Sequence, residues 1–215
     1  MRKRILVAVM AFIGLSNLAV AQDAPADNGG KWQFRLRGIV VSPDESADIE
    51  AIGGDVDIST SVVPEFDITY FFDDNWSMEL ILGTTKHDVE AVGTAAGDID
   101  LGSVWLLPPT LTGQYHFTGG DFVPYLGAGV NLTLFYGVDE GPIADDVEYD
   151  TAVGFALQGG FDYMLNDKWF LNFDVKKLFL NTTATVDATS ALGATVDADV
   201  DINPWIFGFG IGLKL

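Results

Sequence analysis

Few side chains in this 215-residue sequence are able to carry covalent chemistry. There are two histidines, His87 and His116, and no cysteine, so thiolate nucleophiles, thiolate metal sites and disulfides are excluded. An acyl- or group-transfer site needs a nucleophile, a base and an orienting group within hydrogen-bond reach. The two histidines fall toward opposite ends of strand-like runs, and no such set surrounds either. No catalytic residue, no cofactor and no enzyme activity is therefore expected. Carboxylates are plentiful: 31 Asp and Glu oppose 11 Lys and Arg, for a net charge of −20. That balance argues against nucleic acid as a partner. Asp197, Asp199 and Asp201 share one face of a strand, and Asp145, Asp146 and Glu148, or Asp55 and Asp57, make further oxygen-rich groups. Calcium and magnesium favour oxygen ligands, but the spacing fits neither an EF-hand nor an RTX loop. No specific metal site is expected, and diffuse bridging by divalent cations to an anionic lipid surface is the reading kept for these groups.

A second constellation pairs opposite charges. Arg35 and Arg37, Glu65 and Asp67, and Glu79 stand on the minority, polar face of three consecutive apolar runs. If those runs lie side by side, the charges can pair across strands, which offsets the cost of taking each out of water. The bland reading is a structural ion-pair network; the sharper one is a gate that shifts when a ligand arrives.

The elements that must position these groups are strands. Met1 to Ala21 reads as a cleavable secretory signal: Arg2, Lys3 and Arg4, an apolar stretch, then Ala19-Val20-Ala21. Its removal leaves a charge of −23. Residues 22–31 read as a flexible periplasmic tail and 32–215 as one domain. Hydrophobic residues still make up 48% and mean hydropathy is +0.25, so charge and grease must be segregated. Period-two alternation marks eight runs, near Trp32–Ser42, Val62–Phe72, Trp76–His87, Val104–Phe117, Val123–Tyr136, Thr151–Leu165, Trp169–Phe179 and Ile202–Leu215. Short turns at Asp73–Asn75, Thr118–Asp121 and Asn166–Lys168 alternate with long acidic stretches rich in Gly, Ala and Thr. The pattern predicts an all-β fold: an eight-stranded antiparallel transmembrane β-barrel in the bacterial outer membrane, with short periplasmic turns and longer acidic extracellular loops. Aromatic residues are expected outside. The closing run "NPWIFGFGIGLKL" has large residues on one face and glycines on the other, as expected for lipid on one side and a crowded lumen on the other.

The blocks "LLPPTLTGQYHF" (Leu106–Phe117) and "FVPYLGAGVNLTLFY" (Phe122–Tyr136) resemble the outer-membrane protein W (OmpW) family, which includes the alkane-uptake protein AlkL. So do "DNWSMELILGTTKHDVE", "FALQGGFDYMLNDKWFLNFDVKKL" and "INPWIFGFGIG", in the same order along nearly the whole mature chain. The resemblance implies an eight-stranded outer-membrane barrel with a narrow, partly hydrophobic channel, associated with passive entry of small apolar molecules and, in some members, with colicin reception. The chain departs from the pattern in ending on Leu215 rather than an aromatic residue, and in the acidity of its loops.

Two functions follow as expectations. One is a conduit for small apolar solutes, with Arg35, Arg37, Glu65, Asp67 and Glu79 plugging the lower lumen and Val41, Ile81 and Phe135 lining the upper lumen. Exit would then be lateral, into the membrane, at Pro64, Pro109 or Pro124, because proline cannot donate a ladder hydrogen bond. The other is an interaction protein whose acidic loops meet lipopolysaccharide, divalent cations, phage or colicin.

Overall fold

The computed structural model describes residues 31–49 and 52–215. The expected leader (1–21) and all of the expected tail except Lys31 lie outside the described residues. Described are strands β1 (Trp32–Ser42), β2 (Ser46–Ile49), β3 (Asp55–Ile58), β4 (Ser61–Phe71), β5 (Trp76–Gly83), β6 (Thr85–Thr94), β7 (Gly97–Leu107), β8 (Thr110–His116), β9 (Phe122–Glu140), β10 (Asp146–Tyr149), β11 (Ala152–Met164), β12 (Trp169–Phe179) and β13 (Asn181–Ala188). A one-turn helix α1 (Thr189–Leu192), β14 (Ala194–Asp201) and β15 (Trp205–Lys214) complete the chain.

Eight strands close an antiparallel barrel in the order β1-β4-β5-β8-β9-β11-β12-β15, with β15 pairing back to β1. Closure removes the bare sheet edges that lipid, which offers no hydrogen bonds, would leave unsatisfied. Alternation sends Leu36, Phe66, Leu126, Phe155 and Phe209 outward, while Arg35, Arg37, Asp67, Glu79 and Asn172 are buried inside. At the periplasmic end Trp32 packs on Tyr70, with ring centroids 4.7 Å apart, and Trp76 on Tyr115 at 5.0 Å. Such aromatic girdles sit at the membrane interface. The tight turns are held by their own side chains: Asp73 Oδ1 accepts from the backbone N–H groups of Asn75 and Trp76, and Asn166 Oδ1 from those of Lys168 and Trp169.

Not every aromatic lies outside, which corrects the expectation drawn from alternation. Tyr125 and Phe170 fill the lumen, 1% and 0% exposed. Glycines on neighbouring strands make their seats. A Cβ on Gly212 would collide with the Phe170 ring at Cζ and Cε2, and one on Gly160 would come within 2.6 Å of the Tyr125 hydroxyl oxygen. One bare position of the closing strand is thus a socket for a ring from β12.

Two expected runs are each split. Pairing of β5 with β8 stops at Ile81↔Thr110, and pairing of β6 with β7 begins at Thr85↔Leu106. Between them Leu82–Thr84 and Leu107–Pro109 do not pair with each other, although Leu82 and Gly83 stay paired to β4 and Leu107 to β9. Pro108 and Pro109 have no N–H to give there, and Thr84 Oγ1 stitches the gap by donating to the Leu106 carbonyl at 2.9 Å.

The long acidic connections are themselves largely β-structure. Beyond the membrane they build two walls: β3-β6-β7 with the outer part of β9, and β10-β13-β14-β2. Asp197, Asp199 and Asp201 point to solvent, while Val196, Ala198 and Val200 between them are buried. Ile49, Val56, Val89, Ile99 and Leu180 complete an apolar interior between the walls.

Candidate functional site

The lumen has two chemically distinct halves. In the lower half, β1 projects Arg35 and Arg37 inward, and β4, β5, β11 and β12 supply their partners. Arg35 Nη1 lies 3.1 Å from Asp67 Oδ1, 2.9 Å from Glu79 Oε1 and 2.8 Å from Thr69 Oγ1, and Arg35 Nη2 lies 3.1 Å from Asp162 Oδ2. Arg37 Nη2 is 2.8 Å from both Glu65 Oε1 and Asp67 Oδ2. Lys176 Nζ is 2.8 Å from Glu65 Oε1 and 3.3 Å from Asp174 Oδ1. Neutral side chains complete the network: Gln114 and Gln158 donate to Glu79 Oε2 at 2.6 and 2.8 Å, and the Tyr125 hydroxyl donates to Asp174 Oδ2 at 2.7 Å. The Arg35 guanidinium also lies over the rings of Tyr125 and Phe170, 5.5 and 5.6 Å from their centroids.

The five charged residues singled out in the sequence therefore meet. Sequence reading left out Asp162, Asp174 and Lys176, although each occupies a polar, alternate position on β11 or β12; their partners are more than a hundred residues away in two cases. His116 sits below this network, its Nε2 3.0 Å from Ser77 Oγ and 3.1 Å from Gln114 Oε1. His87 lies in the outer wall, its Nδ1 2.6 Å from the Ser59 carbonyl oxygen, and burial lowers its pKa. The two histidines share no partner.

The upper half is an apolar tunnel running up between the two outer walls. Val41, Ile81 and Phe135 all line it, with Ile39, Leu106 and Leu178. Glu65 and Lys176 also border it, so the ion pair they form is the tunnel floor. Phe135 stacks on Tyr149 across the line where β9 parts from β10, ring centroids 5.2 Å apart. Burial in these apolar surroundings pushes the Tyr149 phenol up to about 12.

The three prolines stand at different heights. Pro64 faces outward opposite Gly38, one residue from the floor carboxylate Glu65. Pro109 borders the gap in the β5–β8 ladder, and its carbonyl accepts from Leu132 N–H at 3.0 Å. Pro124 lies near the periplasmic end, its carbonyl accepting from Phe117 N–H at 2.9 Å, and is remote from the tunnel. Among the described residues no group of three Asp, Glu or His side chains is arranged to hold a metal ion. The outward carboxylates bond locally instead: Asp197 Oδ1 accepts from Thr185 and Asp199 Oδ1 from Thr183.

A polar lower lumen, an apolar upper lumen and an aromatic-girdled exterior can now be set beside known proteins. The chain is 47% identical to the uncharacterized outer-membrane protein y4mB of Sinorhizobium fredii over 195 residues, 87% of this chain and 83% of that one. It is 31% identical to the dibenzothiophene metabolism operon protein PahQ of Pseudomonas aeruginosa, covering 99% of each. Among solved structures it is similar to the outer membrane protein OprG of Pseudomonas aeruginosa, with a TM-score of 0.80 and 31% identity over 87% of this chain and 96% of that one. With the OmpW family model matching residues 28–215, the barrel and its tunnel are those of an outer-membrane protein that belongs to the OmpW family.

Proposed function

We propose that this barrel is a passive conduit for small hydrophobic molecules, not an enzyme. The observation that carries the reading is the apolar tunnel standing on a charged floor. A solute entering between the outer walls exchanges water for apolar side chains, worth about 25 cal/mol per Å² of its surface. At the floor it meets Glu65, Lys176 and the network beneath them, which act as a plug: an apolar solute gains nothing by parting buried ion pairs. It leaves sideways. The gap between Leu82–Thr84 and Leu107–Pro109 is the favoured exit, because fewer ladder bonds have to open there than elsewhere in the wall. Pro64, facing lipid at the same level, is a secondary weak point. Pro124 lies too far toward the periplasm to serve. The name of the PahQ relative, which places it in an operon for metabolism of an apolar aromatic compound, supports the same solute class.

Uptake of a hydrocarbon such as an alkane or dibenzothiophene by cells with and without the protein, at matched folded levels, tests the conduit. Ile81→Arg should abolish the gain by placing an unpaired charge in the tunnel while the barrel still folds. Equal uptake with and without the wild-type protein would defeat the reading. In that event the solvent-facing carboxylates of β14 favour the second one, an interaction protein bridged to lipopolysaccharide by divalent cations. Its test is cation-dependent outer-membrane integrity after neutralising Asp197, Asp199 and Asp201.

A further inference from the structure

We propose that the lower-lumen network is a proton-binding site, and that Asp67 is its seat. The inference begins with a count. Five carboxylates, Glu65, Asp67, Glu79, Asp162 and Asp174, face three cations, Arg35, Arg37 and Lys176, and all eight side chains are no more than 4% exposed. Fully ionised, the cluster would carry two uncompensated negative charges inside the barrel. Buried groups relieve such an excess by taking up protons.

Among the described residues no other group facing the cluster supplies the missing charge. Thr69, Thr112, Gln114, Gln158 and Asn172 are neutral, and Tyr125 is committed as a donor to Asp174. His116 uses Nε2 toward Ser77 and Gln114, while its buried Nδ1 has no partner. An imidazolium would have to bury an unsatisfied N–H at Nδ1, so the ring is neutral. Lys214 stands at the periplasmic end of β15, opposite Gln33.

Hydrogen counting then locates the proton. Arg35 Nη1 carries two hydrogens but has three acceptors within reach, on Asp67, Thr69 and Glu79. Arg37 Nη2 likewise has two hydrogens and three carboxylate oxygens nearby, on Glu65, Asp67 and Glu79. Glu79 has its own neutral donors in Gln114 and Gln158, and Glu65 has both oxygens on Lys176. Asp67 is the carboxyl in both crowded sets without such support, and its Oδ2 makes no aligned hydrogen bond. A proton on Asp67 Oδ2 turns that oxygen from a competing acceptor into a donor beside Arg37 Nη2, leaves Oδ1 as the acceptor for Arg35, and halves the charge excess. Its release at alkaline pH restores the repulsion among Asp67, Glu65 and Glu79 and loosens the network.

The test is infrared spectroscopy of the barrel in lipid nanodiscs, with aspartate carboxyls isotopically labelled. Folded wild-type protein at pH 7 should show the C=O band of a protonated aspartic acid, lost on alkaline titration. Asp67→Asn, a neutral isostere, should remove the band and keep the folded gel mobility, whereas Asp162→Asn and Asp174→Asn, each of which takes one excess negative charge out of the cluster, should move the band's loss to lower pH. Absence of any protonated-aspartate band from the wild type at pH 7 would overturn the proposal. So would a band that survives Asp67→Asn. Should Asp67→Asn fail to fold, the charge-preserving Asp67→Glu takes its place: it should move the band out of the labelled aspartates, and a labelled-aspartate band that persists in that variant would overturn the assignment.

Discussion

Arg37 shows why the interior residues have to be read together. Its Nη2 touches Glu65 and Asp67 at 2.8 Å, and Glu65 in turn holds Lys176. Removing one member of a buried pair strands the partner's charge, which costs about 3–5 kcal/mol, far above the worth of an exposed pair. Arg37→Met alone should therefore destabilise the folded barrel by about that amount. Adding Glu65→Gln should recover part of the loss, although Lys176 then loses a partner and limits the recovery. Denaturant unfolding in lipid measures the cycle, and simple additivity would show that the two side chains do not depend on one another. The sequence displayed Arg35, Arg37, Glu65, Asp67 and Glu79 because they interrupt consecutive apolar runs. It did not single out Asp162, Asp174 and Lys176, because β11 and β12 reach β1 and β4 only through barrel closure. Tyr125 and Phe170 were hidden for a related reason: an inward ring is tolerated only where a glycine on the adjoining strand is bare, and alternation within one strand carries no such information.

At the level of elements, strand identity and turn chemistry were the most legible features. Asp73 and Asn166 announce tight turns because their side-chain oxygens replace missing backbone acceptors. The Asp73 turn yields a pH-dependent expectation. The backbone N–H groups of Trp76 and Asn75 hold its carboxyl below the usual carboxylate range. A depressed folded-state pKa stabilises the protein above the unfolded-state value, and that contribution is lost as pH falls through the folded value. Asp73→Ala should therefore lower resistance to urea at pH 7 but matter less in strong acid. An equal effect at both pH values would show that the charge plays no part. The acidic connections were harder to read, since the high density of Asp, Gly and Thr suggests irregular loops. Yet Val196, Ala198 and Val200 alternate with Asp197, Asp199 and Asp201, and period two was present all along. What a single strand cannot disclose is a second wall for its apolar face to meet. The split at Thr84 and Pro108-Pro109 was half-visible, through the prolines alone.

For the whole molecule, segregation of charge from grease is the organising fact. The outer walls turn valines, alanines and isoleucines toward each other and carboxylates toward water, with lysines such as Lys86 and Lys177 offsetting few of them. An acidic rim around an apolar tunnel raises the local concentration of cations and repels anions, by factors of about 10 to 1,000 for strongly focused fields. Three probes with the same eight-carbon tail separate this effect from the tail's affinity: octyltrimethylammonium, octanol and octyl sulfate. Each would be used to displace a neutral, environment-sensitive naphthylamine dye from the barrel in nanodiscs of uncharged lipid. At low salt the cation should displace the dye at concentrations about tenfold below those needed for the anion, with octanol between them. Near 1 M salt, where the screening length falls to about 3 Å, the three should converge. Asp197→Asn with Asp199→Asn and Asp201→Asn should narrow the low-salt spread without changing octanol, because these side chains point away from the tunnel. Displacement by octanol but with no order among the charged probes would leave the tunnel intact as an apolar site and remove the rim as its selector. Failure of all three to displace the dye would count against the tunnel itself.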